Sequence, residues 1–452
     1  MKSCLFGLIL VLAIGCGRGQ EVAVDKPAPL LRKTAVWVAG AVDEDVAARL
    51  KRAGVDVLVV RRGLVDLTTG SPVIKVDPAP WIAGEIRGSA ALRIESGSVE
   101  LKPEAASALW RGLAPVVGPT TAEIVVDIPR LSPGIAGFVR ALDQESGLPV
   151  LPILTVSQIR TDRGLELAKA AGTIIVPLFG PGGVGLRGVG DAGNEPLVDR
   201  LATLAGTGVR VRAGIVLTPR TDPKLARWGE DLDRLCNGGR VEVSTASKLD
   251  RAFIFRKPME WSGRKWAVGD RFEVQWMDAV RLDSALREID SVFMPEVVGW
   301  DLVALPPADG TLGIDGRALT AYLEGKGPAP DLDVSLRRQG RSLRISVVNL
   351  SPFASVVSGH GNWVEVSLES GYLVADDAGD FERIEVGKRI GDQWKPGLSS
   401  GVNAVRFTEI LVGAQESLTT GVIRLPSSRS KVTVRWSVML SDGEVVSGEL
   451  RE

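Results

Sequence analysis

The chain has 452 residues with 54 Lys plus Arg against 55 Asp plus Glu, so it has no electrostatic case for binding nucleic acid. The length suits about two or three domains. The 26 Pro and 52 Gly are scattered among apolar runs, which excludes a low-complexity chain.

The N-terminus reads MKSCLFGLILVLAIGCGRGQ. Lys2 gives a short positive start, and the apolar run Leu5–Ile14 is too short to span a bilayer but fits the core of a secretory signal. The run ends in Ala13-Ile14-Gly15-Cys16, which looks like a bacterial lipobox. Residues 1–15 are therefore expected to be a signal peptide, with residues 16–33 a tether lipidated on Cys16. Gly17 after the cysteine favours the outer membrane, facing the periplasm. The expected partners are a membrane, through the lipid, and envelope polysaccharides or proteins; none is a nucleic acid. Cys4 leaves with the signal and Cys16 is acylated, so the remaining Cys236 has no partner for an internal disulfide.

Residues 34–325 alternate short apolar runs with helical patterns. Strands are predicted at Thr34–Ala39, Val55–Val60, Ala122–Ile128, Val150–Val156, Thr173–Phe179 and Val209–Leu217, with later ones near 252–256, 271–277 and 297–305. A hairpin insertion is expected around Ala90–Glu95. Helices follow from Pro103, Ser132-Pro133, Asn194, Asp222-Pro223 and Asp315, where caps or first-turn prolines precede apolar residues at helical spacing. The strands are mostly continuous apolar runs, as parallel strands covered on both faces are. The expected fold is a (β/α)8 TIM-like barrel. No G-x-G-x-x-G follows the first strand, so a dinucleotide fold has no support.

Gly325–Pro330 reads as a linker. After it the period changes to two: Leu332, Val334 and Leu336 alternate with polar residues, as do Val364, Val366 and Leu368, then Val432, Val434, Trp436 and Val438. Residues 331–452 are thus expected to form an antiparallel β-sandwich.

In a barrel the chemistry belongs at the C-terminal ends of the strands. Asp127 closes one such strand, and alternation places Glu123, Val125 and Asp127 on one face. Arg271–Asp278 supplies Glu273 and Asp278. Acids on two strands are the minimum for glycoside hydrolysis, so Asp127, Glu273 and Asp278 are the candidate catalytic residues. His360 is the only histidine and lies in a sandwich loop, which removes a histidine base from the barrel and excludes a multi-histidine metal site. The glycine-rich stretch at 180–193 lacks the Gly-Lys-Ser/Thr ending of a phosphate loop and reads as a loop over the barrel mouth. No metal or cofactor is implied. Eleven Trp stand against two Tyr, a surplus of flat rings without hydroxyls. Trp261 and Trp266, in a polar stretch, are candidates for stacking on sugar rings or for core filling.

The strand IVVDIPR with its following helix, the strand VLPILTV and the strand IIVPLFG, between Glu123 and Gly183, together resemble an uncharacterised bacterial family known as domain of unknown function 3142, which is similar to TIM-barrel glycosidases. The order of barrel then sandwich looks like that family too. The resemblance implies two acids two residues apart on the first of these strands. Asp127 matches the first, and Pro129 stands in the second place. The expected function is therefore a lipid-anchored envelope protein with a degenerate glycosidase-like barrel that binds polysaccharide or scaffolds envelope components. An active hydrolase with paired carboxylates, and an interaction module built on the sandwich, are the alternatives.

Overall fold

The computed structural model describes residues 33–38, 44–69, 72–76, 86–115, 117, 121–180, 196–217, 220–221, 240–245, 250–261, 264–275, 277–291, 294–305, 314–397 and 401–452. The signal, Cys16, the glycine-rich stretch from 181 and Cys236 lie outside them.

Strands β1 (Lys33–Val38), β2 (Val57–Asp66), β3 (Val73–Val76), β4 (Arg87–Glu95), β5 (Thr121–Asp127), β6 (Val150–Ile153), β7 (Thr173–Phe179), β8 (Arg210–Val216) and β15 (Val297–Leu305) form one sheet. Its order is β1-β15-β8-β7-β6-β5-β4-β2-β3, and β1 also pairs with β2. That last pairing closes eight parallel strands into a barrel, with β3 added antiparallel on β2. Both faces of the strands are apolar because both are covered. Leu58, Val60, Ile124 and Val126 pack outward against the helices, while Val57, Val59, Val125 and Ile175 fill the interior. Helices such as Pro103–Leu113 and Ile135–Ser146 turn a stripe of Leu, Ile, Val and Phe towards the strands.

Three expectations change. Arg87–Glu95 is a full barrel strand paired in parallel with β2 and β5, not a hairpin insertion. The strands expected near 252–256 and 271–277 do not join the barrel. β9 (Arg220–Thr221), β10 (Val241–Thr245), β11 (Asp250–Phe255) and β14 (Arg271–Gln275) make a separate antiparallel sheet in the order β10-β11-β14-β9. β12 (Met259–Trp261) and β13 (Arg264–Trp266) form a hairpin beside it. This insertion lies in the chain between β8 and β15. The strand predicted at Val150–Val156 is also cut short, because Thr155 caps the helix Val156–Ile159 through a reciprocal capping box with Gln158.

The C-terminal region is a β-sandwich. One sheet holds β16 (Leu332–Gln339), β17 (Ser342–Asn349), β19 (Val374–Ala375), β23 (Ser417–Thr419) and β24 (Ile423–Arg424). The other has the order β21-β20-β22-β18-β25-β26, made of β18 (Asn362–Leu368), β20 (Arg383–Ile390), β21 (Gln393–Pro396), β22 (Ala404–Glu409), β25 (Val432–Met439) and β26 (Val445–Arg451). Their shared core includes Ile345, Val364, Val366, Phe407 and Val434, the alternate residues that the period of two marks. The inserted sheets pack on this region: Phe253, Phe255, Trp261 and Trp266 share a cluster with Val356, Val357, Ile410 and Leu411.

Candidate functional site at the barrel mouth

Asp127 ends β5, and its inward neighbour Val125 belongs to the barrel interior, so alternation turns Asp127 inward at the C-terminal end. It pairs in register with Arg93 of β4, whose Nη1 lies 3.7 Å from Asp127 Oδ2. Arg93 Nε donates to Glu95 Oε1 at 2.8 Å, so one guanidinium lies between two carboxylates on adjacent strands. Partial burial pushes the Asp127 carboxyl up, Arg93 and Arg61 pull it down, Glu95 pushes it further up, and the result is about 6. A carboxyl held there exchanges a proton near neutral pH.

Arg93 and Glu95 went unnoticed in the sequence because their strand was read as an insertion. The alternation in Arg87–Glu95, with Ala91 in the barrel interior, is the signal that places both side chains inward with Asp127. A cleft of about 630 Å³ opens beside the loop after β5, lined by Leu131, Ser157, Gln158, Thr161, Asp162 and Arg163. Gln158 Nε2 donates to Ile128 O at 3.1 Å and fastens that wall to the end of β5.

The deeper acid, Glu123, is committed to a network inside the barrel. It accepts from Lys33 Nζ at 2.9 Å and from Arg212 of β8. Arg212 also donates to both oxygens of Asp301, at 2.6 Å from Nε and 2.8 Å from Nη2. Trp37 Nε1 adds a bond to Asp301 Oδ1 at 2.9 Å. Burial works against charge on Glu123, but Arg212 and Lys33 outweigh it and hold the carboxyl below its ordinary value. Burial likewise works against the Arg212 charge, and Asp301 and Glu123 outweigh it. Asp301 is 0% exposed, so this network is internal structure and offers nothing to a ligand.

Glu273 lies on β14 of the inserted sheet, exposed and paired with Arg271, rather than on a barrel strand. Asp278 Oδ1 accepts from Arg281 N at 2.9 Å and from Ser441 Oγ at 2.8 Å; it caps the helix Ala279–Ser291 and ties it to the sandwich. Glu273 is thus carried by a strand that pairs outside the barrel, and Asp278 is bound as a helix cap to Arg281 N and Ser441.

Trp261 and Trp266 are each 3% exposed. Trp266 stacks on Phe255 with centroids 4.4 Å apart, and Trp261 on Phe272 at 5.0 Å. Trp266 Nε1 donates to Trp261 O at 3.1 Å. Their rings fill a core and present no surface to a sugar, which corrects the stacking expectation. A second raised carboxyl, Glu409, reaches about 7 through burial, but its oxygens accept from Ile410 N and Glu382 N at 2.9 and 3.0 Å, so it is bound into the sandwich backbone. Among the described residues no group of three or more His, Cys, Asp and Glu is placed to hold a metal, and no helix is long and apolar enough to cross a membrane.

Asp127→Asn tests the pH behaviour of the mouth. The folded value, about 6, lies above the ordinary 3.8, so the contribution of Asp127 is fully present below pH 3.8 and is lost as pH rises through about 6. The variant, measured as a melting temperature relative to the parent, is therefore expected to gain between pH 4 and pH 7.5. A constant difference across that range would show that Asp127 does not titrate there.

No protein-family model matches the chain, so the resemblance to domain of unknown function 3142 gains no support from one. No curated protein matches it either. Among solved structures, β-glucuronidase 2 of Bacteroides uniformis, covalently bound to cyclophellitol-6-carboxylate aziridine, overlaps 94% of this chain and 46% of its own at 11% identity and a TM-score of 0.31. This chain thus spans under half the length of that enzyme. A β-porphyranase of glycoside hydrolase family 86 from the human gut bacterium Bacteroides plebeius overlaps 92% of this chain and 95% of its own at 10% identity and a TM-score of 0.29. With overlaps this loose, the barrel rests on its own closed strand order.

Proposed function

We propose that this chain is a lipid-anchored envelope protein whose barrel mouth binds a polysaccharide without cleaving it. The observation that carries the reading is the fate of the acids. Asp127 stands at the mouth bridged to Arg93, while Glu273 and Asp278 are engaged elsewhere and Glu123 is locked below. Glycoside hydrolysis needs one carboxyl to protonate the leaving oxygen and a second, free carboxylate as nucleophile or base. The Asp127 carboxyl, the Arg93 guanidinium and Glu95 instead supply donors and acceptors suited to sugar hydroxyls. The lipid on Cys16 would hold such a site beside envelope glycans.

The test is equilibrium binding of the soluble body, from residue 17 onward, to polysaccharide extracted from the producing cell's envelope, with reducing ends assayed in parallel. Binding is expected to fall about tenfold or more in Arg93→Ala, equivalent to about 1.4 kcal/mol, and the parent is expected to release no sugar. Sugar release abolished by Asp127→Asn would overturn the reading. It would favour a second one, for which the near-neutral Asp127 is the specific observation: hydrolysis with Asp127 as acid and Glu95 as its partner.

A further inference from the structure

The outward face of the six-stranded sandwich sheet carries a feature that the barrel reading does not use. Val364, Val366, Val405 and Phe407 face the core, so Trp363, Glu365 and Arg406 face outward. Trp394 of β21 pairs with Arg389 of β20, and its ring lies across that strand at Gly387. A Cβ on Gly387 would come within 2.5 Å of the Lys395 carbonyl and 2.8 Å of the ring, so glycine lets both the β21 backbone and the indole lie close against this strand. The Arg406 guanidinium is 4.1 Å from the Trp363 ring centre and 4.6 Å from that of Trp394. The three side chains form one ladder of ring, cation and ring.

Beneath it lies Glu365, whose side chain is fully buried. It is held by Arg406 Nη2 at 2.8 Å and by Arg389 Nη1 at 3.4 Å. One sheet edge further on, Glu449 is shared in the same way by Arg435, at 2.7 Å, and Arg451. With Arg383, which pairs with Glu385 at 3.3 Å on the same face, five arginines share three acids, and the face is left with surplus positive charge. Both tryptophans are half-buried, and their surroundings are polar rather than a continuous apolar patch. A protein interface core is apolar and depleted in charge. Separate flat rings set among donors suit a ligand with an apolar ring face and many hydroxyls.

We propose that this face is a second saccharide-binding site, in which Trp363 and Trp394 take the apolar faces of sugar rings and the adjoining arginines pair with carboxylate or sulfate groups on an acidic polysaccharide. The site does not rest on the barrel reading, and the two fail separately.

The experiment is affinity electrophoresis of the soluble body through gels holding polygalacturonate, alginate or hyaluronan, with dextran and poly-glutamate as controls. At least one acidic polysaccharide is expected to retard the protein. Trp394→Ala should weaken that retardation at least tenfold, and Trp394→Phe should restore most of it. Circular dichroism confirms that each variant folds. Retardation by none of the three acidic polymers overturns the proposal. So does equal retardation by poly-glutamate or dextran, or retention of full binding in Trp394→Ala.

Discussion

Arg212→Met is expected to destabilise the barrel by about 3–5 kcal/mol, among the largest effects open to a single substitution here. The guanidinium is the only described group that touches both Asp301 and Glu123. Its removal leaves Asp301 in the barrel interior with the Trp37 indole as its remaining partner, and Glu123 with Lys33. Methionine fills the volume, so the loss reports uncompensated charge rather than a cavity. Replacing both partners, as in Arg212→Met with Asp301→Leu, should recover part of the loss, because the pair stabilises less than a broken pair destabilises. The Glu123 share of the network should also weaken in acid, while Asp301, which burial pushes up, works in the opposite sense. Glu123 sits below its ordinary 4.5, so its contribution is present above that pH and fades as pH falls through the lower folded value. Urea unfolding followed by hydrogen exchange in β1, β8 and β15 measures all of this. A loss below about 1 kcal/mol in Arg212→Met would show that the network is hydrated and that its charges need no partner.

Trp266→Ala is expected to cost about 3–5 kcal/mol as well, and to leave polysaccharide binding untouched. The ring is packed on Phe255, its Nε1 is bonded to Trp261 O, and Arg264 lies 4.5 Å over its face. Truncation opens a cavity in the cluster that joins the inserted sheets to the sandwich. The contrast with Trp394→Ala is the informative part. One tryptophan is structural and the other is expected to bind, so stability and binding should move in opposite variants. A Trp266→Ala protein of normal stability that no longer bound polysaccharide would contradict the interior placement of the ring.

Asp127 was legible because a strand's alternation is local. Ile124 and Val126 bracket the inward positions whatever the neighbouring strands are. Arg93 and Glu95 were not, since after Arg87 their strand runs through Gly88, Ser89, Ala90 and Ala91, which do not look like a barrel strand. Ser89 and Ala91 fall at inward positions of a barrel that also holds the Arg212 and Trp37 side chains, so small residues there suit that packing. The runs DRAFIF and RFEVQ misled for the opposite reason. Their apolar content matches that of barrel strands, and only their antiparallel pairing with one another sets them apart.

The sequence by itself determined the parallel barrel, the change of period at the linker, the face on which Asp127 lies and the expectation of a lipid at Cys16. Each depends on residues a few positions apart. Tertiary structure alone decided which acids meet, which tryptophans are buried and which arginines are shared. Those outcomes depend on partners from distant strands, such as Val356 and Ile410 closing over Trp266, or Asp301 reaching Arg212 across the barrel. A side chain's direction is set by its own backbone, whereas its company is set by closure of the sheet.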